Sequence, residues 1–160
     1  MRIIKNIRKQ FWSAVCLLSA MSATFLLMPL ASELSDATNE WSVRIAGILF
    51  WAFAIAGYGT IIKANNSRKR FLNKKFGRDV QKHFRPGLLC VFSNKYAKAV
   101  DIMLAIVAAA FVIALFTKIK NTYGIIVILS LLVWAVNMHG LFNGRIYRIT
   151  KYDSKERREL

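Results

Sequence analysis

At 160 residues the chain is long enough for one soluble domain, but 56% of its residues are hydrophobic while its formal net charge is +16. The apolar and charged residues are segregated into alternating blocks, whereas a soluble helical core would mix charge into every helix through amphipathic periodicity. Length, charge and blockiness together indicate a polytopic membrane protein and exclude a disulfide scaffold, because Cys16 and Cys90 form no framework and no CxxC pair.

The first apolar segment runs from about Phe11 to Ala31, "FWSAVCLLSAMSATFLLMPLA". The basic stretch before it resembles the start of a secretory signal, but the run is too long for a signal core and no A-x-A pattern closes it, so it reads as a span. The second segment covers about Val43–Ile62, the third Ala99–Thr117 and the fourth Thr122–Phe142. Each suits a hydrocarbon slab of roughly 30 Å at about 1.5 Å rise per residue. Backbone groups in lipid must be satisfied internally, so all four are expected to be helices. The fold class is therefore an all-α integral membrane protein with four transmembrane helices, forming a single membrane domain over 1–160.

Orientation follows from the basic residues. Four Lys or Arg precede the first segment, eleven lie in the linker 63–98 and six follow the fourth segment; Arg44, Lys118 and Lys120 are the remaining three. The positive-inside rule then places both termini and the linker in the cytoplasm, with the chain in the plasma (inner) membrane. Trp12 and Tyr58 fall near the inner boundary, and Trp41 and Tyr123 near the outer one. The connection "KIKN" is so short that segments three and four must form an antiparallel hairpin.

Helix pairing in lipid depends on close packing, which small residues permit. Candidate stripes are Ser19 with Ala23, Ala52 with Ala56 and Thr60, Ala105 with Ala109, and Ala110 with Ala114. Polar residues near the membrane are few. Asp101 at the start of segment three and Asn137 and His139 near the end of segment four reach similar depth when the hairpin folds, forming a candidate polar cluster. A carboxylate–imidazole pair at that depth is a candidate proton path, although a polar cap at the headgroups is the favoured reading.

The linker carries "FLNKKFGRDVQKHFRP", residues 71–86. Leu72, Phe76, Val80 and Phe84 recur every four residues and form an apolar stripe, while Lys69, Arg70, Lys74, Lys75, Arg78, Lys82 and Arg85 supply a basic surface. The expected structure is an amphipathic helix lying on the anionic inner leaflet, each cation contributing about 1 kcal/mol near the surface. A topology-setting solvated linker is the alternative, and nucleic acid is disfavoured for want of any recognition module. Leu88–Phe92 and "GRIYRITKY" each read as possible short extended segments that would pair beneath the bundle. "DSKERREL" reads as a mobile or helical tail.

The chemistry of sites is sparse. No P-loop, HExxH or GxSxG pattern is present, and two histidines, His83 and His139, do not make a metal site, so no catalytic, cofactor or metal residues are assigned. Ser130 lies more than two helical turns from His139, too far to be activated by it. The expected function is non-enzymatic contact, as a subunit, assembly factor or regulatory or protective partner of a larger membrane complex. Its partners would be other membrane subunits or further copies of itself. The alternative is a small transporter or pore completed by oligomerisation.

Overall fold

The structure is a computed structural model that describes residues 2–33, 39–76, 90–117 and 122–156. Among these the chain is entirely helical apart from short connections: α1 (Arg2–Glu33), α2 (Asn39–Phe76), α3 (Lys95–Phe116), α4 (Thr122–Phe142) and α5 (Arg145–Glu156). The first four are each long and apolar enough to cross a membrane.

Periodicity explains the main interface. On α1 the buried residues Ile4, Ile7, Phe11, Ala14, Leu18 and Met21 recur every three or four positions, the spacing of a single helical face. Along α2, Ala54, Gly57, Ala64, Arg68 and Leu72 follow the same rhythm, with half-buried Ile61 between. The two helices run antiparallel: Phe25 meets Phe50 with ring centroids 5.8 Å apart, and Leu18 lies over Gly57. Gly57 matters here because a Cβ would fall 2.7 Å from Leu18 Cδ2 and 3.1 Å from its Cγ. The inward residues are thus Ala54 and Gly57, while Ala52 and Ala56 of the predicted stripe are exposed.

Helix α4 packs antiparallel to α1, and polar side chains fix the register. Ser130 Oγ donates to the Ser22 carbonyl at 2.7 Å, and Trp134 Nε1 donates to Ser19 Oγ at 2.9 Å. Interhelical hydrogen bonds of this kind contribute about 0.6–2 kcal/mol each in membrane bundles. Helix α3 packs chiefly on α4. Its Ile102, Ile106, Ile113, Leu115 and Phe116 are exposed, as are Ala105 and Ala109, whereas Ala114 is buried.

Three sequence expectations are corrected. First, α2 does not end near Ile62 but continues to Phe76, so the beginning of the linker is helix in line with the span. Second, Leu72 of the expected lipid-facing stripe is only 3% exposed and belongs to the hydrophobic core. The cause is geometric: with no break at Lys63, Leu72 inherits the inward face already used by Arg68 and Ala64, one and two turns earlier respectively. Val80 and Phe84 lie outside the described residues, and so does most of the expected surface helix. Third, "GRIYRITKY" is not extended; it forms most of α5, whose apolar face buries Ile146, Tyr147 and Ile149. No strand occurs among the described residues.

Helix α5 returns over the bundle end where α1 begins and α2 finishes. Phe11 of α1, Phe142 of α4 and Tyr147 of α5 form an aromatic cluster with centroid separations of 5.4–5.6 Å. Tyr96 of α3 stacks on Phe142 at 5.6 Å. The turn from α4 to α5 needs glycine at position 144, since a Cβ there would lie 2.5 Å from the Gly140 carbonyl oxygen.

Candidate functional site

At this same end the structure gathers its densest set of buried polar groups. Asp101 projects from the second turn of α3, and His139 and Asn143 come from the last turn of α4 and the residue after it. The spacing of His139 and Asn143 is one helical turn, so they share a face. His139 Nδ1 lies 2.6 Å from Asp101 Oδ1, a hydrogen bond in the tautomer that carries its proton on Nδ1. Asn143 Nδ2 donates to Asp101 Oδ1 at 2.9 Å and to Oδ2 at 3.2 Å. All three residues are buried.

The connection entering α3 closes over this group. The Phe92 amide donates to Asp101 Oδ2 at 2.6 Å, while the Ser93 amide and hydroxyl donate to Asn143 Oδ1 at 3.2 and 2.7 Å. Asn94 caps α3, its Oδ1 accepting from the Tyr96 and Ala97 amides, and its Nδ2 donates to the Phe142 carbonyl. An N-cap of this kind satisfies backbone donors that the first helical turn leaves without partners. Phe92 has φ of 53°, in the left-handed region that non-glycine residues seldom occupy. That conformation is held by bonds on both sides of it, from Phe92 itself and from Ser93.

The arrangement thus joins Asp101 and His139, as the hairpin register suggests, but Asn137 is directed elsewhere. Its Oδ1 accepts from Tyr58 Oη of α2 at 2.8 Å, and its Nδ2 donates to the Val133 carbonyl. Two residues apart on a helix, Asn137 and His139 point to different sides. Asn143, which takes the place foreseen for Asn137, lies just past the apolar run, four residues after His139.

Of the predicted basic surface, Lys69, Arg70 and Lys74 are exposed on α2. Arg70 shares a groove with Lys5, Arg8 and Lys9 of α1, where Ile3 and Trp12 add apolar wall. The side chains of Lys75, Arg78, Lys82 and Arg85 lie outside the described residues, as does that of Phe76.

Chemically, an Asp–His pair orients imidazole as in acyl-transfer triads, which also require a hydroxyl delivered to the ring. Here the Ser93 hydroxyl is directed to Asn143 and the Ser130 hydroxyl to Ser22. No group of three potential metal-ligating side chains occurs among the described residues. The chain matches no protein-family model, and neither a curated protein nor a solved structure shows significant similarity to it.

Proposed function

We propose that this chain is a non-enzymatic membrane protein that acts by contact, as a subunit, assembly factor or regulatory or protective partner of a larger membrane complex. Both termini and the linker 63–98 face the cytoplasm, and the basic end of the bundle rests against the anionic inner leaflet. The observation that carries the reading is the seating of α3. It packs chiefly on α4 and leaves a long apolar face uncovered, with Ala105 and Ala109 one turn apart upon it. Such spacing lets another helix approach closely. The polar groups of the Asp101 cluster support the same reading, because their bonds fasten helix ends and the entering loop to one another.

The test is gentle extraction of the full chain with its native membrane, followed by identification and quantitation of what co-purifies. A different membrane protein at fixed stoichiometry is expected, lost when Ala105→Phe and Ala109→Phe are combined while the thermal unfolding midpoint of the isolated chain stays unchanged. A homo-oligomer that conducts ions or solute in liposomes would instead establish the transport alternative.

A further inference from the structure

A second polar feature lies away from the Asp101 cluster. Between α2, the end of α4 and the start of α5 is a cavity of about 550 Å³ whose wall includes Tyr58, Asn65, Arg68, Lys69, Asn137 and Arg145. Three of these are cations, and no carboxylate is among the described lining residues. Arg68 is the unusual member. It is 2% exposed, its Nε donates to Asn65 Oδ1 at 3.0 Å, and its buried Nη1 has no hydrogen-bond partner among the described residues. Guanidinium stays charged under all ordinary conditions, so its burial calls for a counter-charge. A second guanidinium, that of Arg145, lines the same wall.

The backbone adds to the positive field. Gly144, Arg145 and Ile146 bring the start of α5 to the cavity, and that helix has no acidic residue in its first turn. A helix N-terminus favours anions through its dipole and amide groups. The complementary ligand has concentrated negative charge and several acceptor oxygens arranged to meet a guanidinium fork, which describes a phosphoryl group. Arg68 lies past the apolar run that ends near Ile62, so in the orientation proposed above it stands at headgroup level. A lipid phosphodiester and a free phosphate in solution can both supply the group.

We propose that this cavity binds a phosphoryl anion, with Arg68 and Arg145 as its charged ligands. The full chain would be reconstituted in nanodiscs of phosphatidylcholine, or of phosphatidylcholine and phosphatidylglycerol at roughly three to one, so that an anionic headgroup is present or absent. Thermal unfolding would be followed with and without inorganic phosphate, and retained lipid counted by native mass spectrometry. The expected result is saturable stabilisation by one source: by inorganic phosphate in neutral discs if the ligand is soluble, or by retained phosphatidylglycerol if it is a lipid. Arg145→Gln, at a half-buried position, weakens that binding about tenfold or more, and Arg68→Gln abolishes it. Because Arg68→Gln could fail to fold, Arg145→Gln carries the decision, with Arg44→Gln, an exposed guanidinium at the other end of α2, as a control that leaves binding unchanged. Absence of saturable binding from both sources, or equal weakening by Arg44→Gln and Arg145→Gln, overturns the proposal. Partner proteins are absent from this measurement, so its failure is separate from failure of the contact function.

Discussion

Asn143 is the residue on which the polar cluster turns. Its amide gives hydrogen to Asp101 and takes hydrogen from Ser93, so it joins α3, α4 and the entering loop at once. Asn143→Ala removes both roles, taking an amide donor from the buried Asp101 carboxylate and the acceptor from Ser93, and loss of a hydrogen bond to a charged group costs about 1–3 kcal/mol. A fall in the thermal unfolding midpoint in detergent is therefore expected, larger than for Asn137→Ala, whose partner Tyr58 is exposed. At Phe92 the left-handed backbone leads to a different expectation. Phe92→Val, a β-branched side chain at positive φ, costs about 1–3 kcal/mol, while Phe92→Gly is tolerated. The similar depth of Asp101 and His139 was legible because the four-residue "KIKN" connection sets the register of the hairpin, but that the two pair was not. The part played by Asn143 was not, because hydropathy ends the span at Phe142 and gives no reason to continue the helical face one residue further.

At the scale of elements, the spans were legible because lipid imposes length and apolar content, and the structure supplies four helices that meet both conditions. The length of α2 was hidden by the same signal: charge marks where a hydrophobic run stops, but not where the helix does. Lys63 through Phe76 contain no proline or glycine, so nothing in the backbone chemistry ends the helix there. Helix α5 was obscured by β-branched and aromatic residues, whose strand preference yields to burial of Ile146, Tyr147 and Ile149 against the bundle. Composition also does not distinguish Gly57 from Gly59, whereas packing does. A Cβ at Gly59 meets nothing within 4 Å, but one at Gly57 strikes Leu18. Gly57→Val is expected to destabilise the α1–α2 pair by about 1–3 kcal/mol through overpacking. Gly59→Ala is expected to leave stability unchanged or raise it by up to about 1 kcal/mol through helix propensity. Thermal unfolding of the two variants beside the parent chain measures both effects.

Across the whole molecule, the beginning of α1, the end of α2, the beginning of α3 and the α4–α5 turn meet in one region, tied by the aromatic cluster and the Asp101 group. Sequence alone finds 21 of the 24 Lys and Arg residues in the segments that adjoin this end. The proposed orientation makes a direct prediction. In a chain whose Cys16 and Cys90 are replaced by serine, a single cysteine at Lys74 is expected to react with a membrane-impermeant maleimide only after cells are opened. A cysteine at Trp41 is expected to react in intact cells, and reversal of the two would invert the topology.

The distance along the chain between Asp101 and Asn143, 42 residues, has a consequence for biosynthesis. Ribosomes deliver Asp101 and its loop well before the residue that bonds to both, so the junction stays open until the fourth helix has been made. Chains truncated before position 143 are therefore expected to be cut faster by an added protease than the full chain, and limited proteolysis of the two side by side measures the difference.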